Sequence, residues 1–483
     1  MSPVAPLCIG TFCRSGNPKT PLKGNDSMWE PSLPKTRPLY RAIVAALQRD
    51  INKGELTSGE RLPTHRQLSQ QLDVTVGTVT KAFTEAERIG LLVSRVGRGS
   101  YVLQFPESAV AADSEPKSLI DLSVNTVTIE PFNNALNKVL GALSRRKSLY
   151  GLLEYHPVPG MLRHRAAGVK WLRLRGLDVH PDNVIVCNGS QEGLMAALAT
   201  VTKPGDAVLT ESLNYAGVKR LADLFRLDIR GVPTDEYGLR PDMLVEAAKD
   251  IRVGAILCSP TLHNPTNATM PLERRREILA IAAKLDTCVI EDDSNGHLSG
   301  DEKPTMTSMN PHRCIYLCGT SKSMAPGLRI GYMVAPTSIL PRLSEGVHAT
   351  SWTSPSLMGE ITSVLIEEQI AENFLSWHRK EAVERMKMAE NILGLSGIFP
   401  NCPTYHLWLQ LPAPWRANEF AAHLRLGNTL VSPADVFAVD RNPTPHAIRV
   451  SLGGVGERSR LAEGLRVIAE ALAARPNSFS MAI

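Results

Sequence analysis

The run Ser321-Lys322-Ser323-Met324-Ala325-Pro326-Gly327-Leu328-Arg329 places a lysine seven residues before an arginine, just after an apolar stretch at Cys314–Leu317. That stretch reads as a strand. A primary amine held at the end of a buried strand can condense with an aldehyde, and a nearby guanidinium can grip a phosphate through its fork of donors. The pair therefore suits an aldehyde cofactor that carries a phosphate.

Other residues extend the same chemistry. Asn188-Gly189-Ser190-Gln191-Glu192 follows the apolar run Val184–Cys187 and opens a helical pattern. Free N–H groups at such a helix start, beside a glycine and a hydroxyl, form a phosphate cradle. Asp292 ends the strand-like run that begins at Cys288. Its carboxylate can pair with a protonated pyridine nitrogen, the pairing that makes pyridoxal 5'-phosphate an electron sink. Tyr215 follows the strand through Val208 and Leu209 and can stack on a ring, while Asn264, in Asn264-Pro265-Thr266, can bond a ring oxygen. Arg449, in Ile448-Arg449-Val450, can hold a substrate carboxylate with two bonds.

A second constellation lies nearer the start of the chain. Ten basic and six acidic side chains fall between Arg37 and Val102, a local excess of +4 out of +5 for all 483 residues. A concentrated basic excess is the electrostatic footprint of nucleic-acid binding. Leu39, Ile43, Val44, Leu47 and Ile51 form a helical stripe, and Gly54 and Gly59 break it. Thr64 is placed to cap a helix carrying Leu68 and Leu72, and a second helix begins near Thr75 with Val79, Phe83 and Ala86. Two β-prone runs, Leu91–Val93 and Tyr101–Leu103, flank Arg95-Val96-Gly97-Arg98-Gly99, a hairpin with a basic tip. This is the plan of a winged helix-turn-helix. Its second helix presents Thr75, Gly77, Thr78 and Lys81 toward base edges. Arg66 reaches phosphate or a base from the preceding helix, and Arg95 and Arg98 contact the backbone or minor groove from the hairpin.

The elements that position these residues follow from composition and periodicity. Apolar residues make up 43% and charged residues 21%, which excludes disordered, collagen-like and coiled-coil chains. No apolar run is long enough to span a bilayer, and the charged, proline-containing Met1–Glu30 holds no continuous apolar stretch, so no secretory signal and a cytoplasmic protein are expected. The eight cysteines form no CxxC pair, and the Cys314/Cys318 spacing has no matching partner pair, so no metal is expected. Residues 1–35 read as a flexible arm, 36–104 as the winged module and 105–118 as a linker. Residues 119–475 alternate short apolar strands with helices, which predicts an α/β domain with a mostly parallel sheet and a smaller C-terminal lobe.

Residues 38–102 resemble the GntR family of bacterial regulators. The matching positions include Leu39-Tyr40, Leu62-Pro63, Arg66, Leu68, Val74-Thr75, Thr78-Val79, Ala82, Gly90-Leu91 and Arg95. One position departs: where relatives carry a base-reading arginine after the serine or threonine, this chain has Val76. The later motifs, in their order, resemble the fold-type I aminotransferases. With the N-terminal module, the whole chain resembles the MocR subfamily of GntR regulators. The resemblance implies that Lys322 holds the cofactor covalently and is the catalytic lysine, with Asp292 as the pyridine partner. It implies that Asn264, Tyr215, Gly189, Ser190, Gln191 and Arg329 contact the cofactor, and that Arg449 clamps a carboxylate. Tyr155, in Tyr155-His156-Pro157-Val158-Pro159-Gly160, matches a tyrosine that reaches the phosphate of a partner subunit, which implies a homodimer.

Three departures bear on turnover. Glu291-Asp292-Asp293-Ser294-Asn295-Gly296-His297-Leu298 contains no tyrosine after Asp292. Gly319 replaces the serine usual three residues before the lysine, with Thr320 beside it. The familiar NPTG reads Asn264-Pro265-Thr266-Asn267. The resulting expectation is a transcriptional regulator that binds an operator in double-stranded DNA and senses an amine or amino acid through pyridoxal 5'-phosphate. The competing expectations are a working aminotransferase with an added DNA-binding arm, and a regulator whose large domain has lost its cofactor and serves only for dimerisation.

Overall fold

In the computed structural model the chain divides into two units, Met1–Asp113 and Ser114–Ile483. The structure describes residues 29, 31, 38–52, 55–56, 60–89, 91–95, 99–102, 119–129, 132–146, 149–300 and 303–474, without the side chains of Asn52 and Arg95.

Among its described residues the first unit has three helices, α1 (Leu39–Asn52), α2 (His65–Gln71) and α3 (Val76–Arg88), and a paired β1 (Leu92–Arg95) and β2 (Gly99–Val102). The apolar stripe of α1 is buried against α2 and α3 through Ile43, Val44, Leu47, Leu68, Val79, Phe83 and Ala86. Both helix starts are set by threonines. Thr64 and Gln67 form a reciprocal capping box at α2, and Thr75 accepts the Thr78 amide at α3. β1 and β2 pair antiparallel with Leu92 opposite Val102 and Arg95 opposite Gly99. Trp29, within the stretch read as an arm, packs against this core and donates from its indole to Asp50 at 3.0 Å. The 105–118 linker lies outside the described residues.

Among its described residues the second unit has a main seven-stranded sheet with smaller sheets beside it, fourteen strands in all. In chain order its strands are β3 (Ile120–Asp121), β4 (Val184–Cys187), β5 (Ala207–Glu211), β6 (Asp228–Val232), β7 (Thr234–Asp235), β8 (Gly238–Leu239), β9 (Val253–Cys258), β10 (Cys288–Asp292), β11 (Cys314–Gly319), β12 (Gly331–Val334), β13 (His406–Gln410), β14 (Thr429–Leu430), β15 (Ser432–Pro433) and β16 (Ala447–Ser451). The main sheet runs β4-β12-β11-β10-β9-β5-β6. Only β12 runs against its neighbours. The apolar runs that read as strands are buried on both faces, as the helices on either side require. A second sheet, β13-β16-β15, forms the smaller C-terminal lobe. Leu407, Leu409, Ile448 and Val450 bury one of its faces.

The register places Asp292 beside Leu317, Gly319 beside Gly331, and Gly331 beside Cys187. The ends of β4, β10 and β11 therefore lie side by side, and the loops that follow them converge. A buried ion pair anchors the β10 end: Arg175 Nε meets Asp293 Oδ2 at 2.8 Å, and the Tyr316 hydroxyl donates to the same oxygen at 2.7 Å. Removing one partner of such a pair costs ~3–5 kcal/mol.

Candidate functional site

The carboxyl-end edge of the parallel strands is where α/β sheets bind ligands, because loops diverge there and helix N-termini face the opening. Here that edge gathers the residues singled out by type. Lys322 follows β11 in a short helical turn, Thr320–Lys322, and its ammonium donates to the carbonyl of Asn125. Burial pushes its amine down from 10.5 to about 8, and the positive charges of Arg449 and Arg329 push the same way, against Asp292.

Asp292 ends β10. Its Oδ1 accepts from the Ser294 hydroxyl at 2.5 Å and the Ser294 amide at 3.1 Å. Burial raises the carboxyl above its ordinary value, with the Ser294 bonds opposing and Asp293 adding to the rise. A cationic ring nitrogen placed there would reverse that penalty. Ser294 Oγ also lies 3.0 Å from Ser190 Oγ, so a chain of hydroxyls joins Asp292 to the next element.

That element is the helix Ser190–Val201. Its N-cap is Gly189, whose φ of 79° suits glycine and which offers no side-chain acceptor to the first-turn amides. A Cβ on Gly189 would come within 2.8 Å of the Arg329 guanidinium, so the glycine leaves room for that cation. Arg329 is exposed and donates to the Asn188 carbonyl at 3.3 Å. Gln191 brings a buried amide oxygen with no hydrogen-bond partner among the described residues, and it converges with the Tyr215 ring over Gly217. Uncapped backbone N–H groups, an exposed arginine and a serine hydroxyl fit a phosphate. The lysine and aspartate fit the aldehyde and ring nitrogen of the same molecule.

Arg449, on β16, faces this opening from the small lobe. Nη1 donates to Asn264 Oδ1 at 2.8 Å, Nη2 donates to the Ser123 carbonyl, and Nε is buried with no partner among the described residues. The guanidinium lies 4.8 Å from the centre of the Phe437 ring. Burial pushes it down to about 10, so it stays cationic at neutral pH.

The departures from the expected motifs have structural explanations. Asn267, in place of a glycine, adopts φ 63°, a conformation asparagine tolerates. Its amide donates to the His406 carbonyl at 2.7 Å and its carbonyl accepts from Thr404 at 2.9 Å, which ties the Asn264 loop to the small lobe. Thr320 does not substitute for a serine at 319, because its hydroxyl is turned to the Ile330 carbonyl at 3.0 Å. A Cβ at Gly319 would sit 3.3 Å from Ser190 Oγ, so the missing side chain leaves space at the cradle.

Tyr155 is not part of this cluster. It is 83% exposed, and its ring centre lies 5.9 Å from that of Trp352. Leu153, Leu162 and Trp352 are also exposed. Among the described residues no group of three or more side chains could hold a metal, and no helix is long and apolar enough to cross a membrane.

In the first unit, Arg66, Thr75 and Gly77 are exposed, and Thr78 is half-buried. The Thr75 hydroxyl caps α3 by accepting from the Thr78 amide and lies 2.9 Å from the Thr78 hydroxyl. The Lys81 ammonium lies 4.4 Å over the Tyr40 ring. The Arg95 side chain and all of Arg98 lie outside the described residues. Arg61, not singled out by type, bridges to Tyr101 and its guanidinium lies along Gly99 of the hairpin.

The class I and II aminotransferase family matches residues 117–468, and the bacterial regulatory proteins of the gntR family match 39–102. The chain belongs to the class I and II aminotransferase family, fused to a GntR-type domain. That fusion is the make-up of the MocR subfamily. An uncharacterized HTH-type transcriptional regulator of Bacillus subtilis, YdeF, is 29% identical to this MocR-type chain over 91% of it and 96% of the relative. The HTH-type pyridoxine biosynthesis transcriptional regulator PdxR of Corynebacterium glutamicum is 28% identical over 71% of the chain and 75% of its own length. An archaeal alanine:glyoxylate aminotransferase superposes with a TM-score of 0.67 at 24% identity, covering 73% of this chain and 90% of that one. The fold of the MocR-type chain's second unit is thus that of the fold-type I aminotransferases, a family whose members depend on pyridoxal 5'-phosphate.

Proposed function

We propose that this protein is a transcriptional regulator that binds an operator through residues 38–102 and senses an amine or amino acid through pyridoxal 5'-phosphate held in its second unit. The fusion itself carries the reading: a GntR-type domain shares one chain with a site that keeps Lys322, Asp292 and Arg329 together. Relatives that match along nearly the whole chain carry regulator names, which favours regulation over catalysis.

Pyridoxal 5'-phosphate supplies an aldehyde for amine capture and a ring that withdraws electrons. The chain's own residues do the rest. Lys322 supplies the amine that captures the aldehyde, and its lowered affinity for protons keeps a larger neutral, nucleophilic fraction at neutral pH. Asp292, steadied by Ser294, holds the proton at the ring nitrogen. Gly189, Ser190, Gln191 and Arg329 bind the phosphate, Tyr215 covers the ring and Asn264 bonds its oxygen. Arg449 binds the effector carboxylate. The exposed patch of Leu153, Tyr155, Leu162 and Trp352 is the face of a homodimer, with Tyr155 reaching the partner's phosphate. A dimer presents two winged modules to two half-sites, which multiplies affinity. An effector changes operator affinity only by its differential affinity for the two states of the protein. Such a regulator acts in the cytoplasm.

The test is direct. Purified protein should be yellow, and borohydride should fix the cofactor to Lys322. Lys322→Ala should lose the fixed adduct, and covalent trapping in that variant would overturn the assignment. Formation of a keto acid from an amino acid at steady turnover would favour the working-aminotransferase reading, for which the retained lysine, aspartate and arginine speak.

A further inference from the structure

In a winged helix-turn-helix the second helix lies in the major groove and its first residues meet base edges. The exposed side of α3 has an uncommon chemistry for that task. Val76, its first residue, is apolar yet 44% exposed. Gly77 adds no side chain, and a Cβ there would meet only Thr75 Oγ1, at 3.8 Å. The Thr75 hydroxyl is used in the cap and lies against the Thr78 hydroxyl. Thr80 is exposed, but its hydroxyl donates to the Val76 carbonyl at 3.0 Å and stands 3.2 Å from His65 Nδ1. Its methyl is the unengaged part of that side chain. The next cation along, Lys81, lies against the Tyr40 ring. From Thr75 to Thr80, therefore, there is no guanidinium, ammonium or side-chain amide, and the prominent group is a pair of valine methyls.

Guanine is read by arginine or lysine and adenine by asparagine or glutamine. An apolar side chain in the major groove reads the C5-methyl of thymine. We propose that Val76 reads a thymine methyl in each operator half-site and is the specificity-determining side chain of the module. The proposal rests on the reading of residues 38–102 as DNA-binding. The occupant is a duplex with a thymine at the base step facing the start of α3. The contact removes about one methyl's worth of apolar surface from water in all, so its loss should weaken binding about three- to fivefold.

The experiment uses the full-length protein. A preferred duplex is selected from a random pool, and each thymine in it is replaced singly by deoxyuridine, which removes only the methyl group. For the wild type, deoxyuridine at one thymine per half-site should weaken binding about three- to fivefold. In Val76→Ala the same replacement should have no effect. Val76 is exposed, so the alanine variant keeps the fold, and Val76→Thr, which retains one methyl, should keep part of the penalty. A wild-type protein indifferent to every such replacement, or a Val76→Ala variant that keeps the full penalty, overturns the proposal while leaving DNA binding in place. Recovery of no preferred duplex overturns the DNA-binding reading and the proposal with it.

Discussion

The hydroxyl of Ser294 donates to Oδ1 of Asp292 at 2.5 Å and lies 3.0 Å from the hydroxyl of Ser190. One small side chain thus joins the carboxylate suited to the ring nitrogen with the helix start suited to the phosphate. It does so within two residues of Asp292, in a segment with no tyrosine.

Ser294→Ala should therefore weaken the hold on cofactor without abolishing it. A hydrogen bond to a charged group contributes ~1.5–3 kcal/mol, so the dissociation constant for pyridoxal 5'-phosphate should rise by at least about tenfold. Absorbance titration of the cofactor-free protein measures this. An unchanged affinity would show that Asp292 is oriented by something other than Ser294.

Cofactor capture should speed up with pH, with a midpoint near 8. The Lys322 amine is held below its ordinary 10.5, at about 8, and only the neutral amine attacks an aldehyde. Below that pH the protonated form predominates and capture slows. Above it the rate levels off. Stopped-flow mixing of cofactor-free protein with pyridoxal 5'-phosphate across the neutral and alkaline range gives the profile. A rate still climbing steeply well above pH 9 would contradict the effect of burial on Lys322.

Arg449→Ala should leave the colour and basal operator affinity nearly unchanged and abolish the effector's influence on DNA binding. The guanidinium is buried and bonded to Asn264 and Ser123, and its Nε has no partner among the described residues. Operator affinity should be measured with and without the amino acid that perturbs the cofactor spectrum. A full response in the variant, or a monomer bound at the operator, would sink the proposed sensing mechanism.

Operator binding should fall steeply with salt and be lost when residues 1–104 are removed. Each phosphate contact contributes about 0.9 to the log–log salt slope. Arg66 is exposed on α2, and if it grips phosphate, Arg66→Ala should lower affinity for all duplexes alike and reduce the slope by about that amount. A selective loss for one base pair would mean that Arg66 reads a base instead. Intact operator affinity after removal of residues 1–104 would refute the DNA site altogether.

The Thr64 cap, the apolar stripe of α1 and the buried strands β4, β5, β10 and β11 were legible in the chain, whereas β6 and the antiparallel β12 were not read as strands. Each legible element depends on neighbours a few positions away, through helical periodicity, cap geometry or strand-length apolar runs. Lys322, Asp292, Arg329 and Arg449 were legible as residue types in suggestive places, because the chemistry of an aldehyde, a ring nitrogen, a phosphate and a carboxylate each calls for one kind of side chain. What the chain alone did not carry is which groups meet. Lys322 finds the carbonyl of Asn125 across 197 positions, and Arg449 finds Asn264 across 185. Ser294 became a bridge, and Thr320 was turned away to Ile330, only because β4, β12, β11 and β10 lie edge to edge in that order. Sheet order and register are settled by burying both faces of the strands at once, a collective condition that no local spacing encodes.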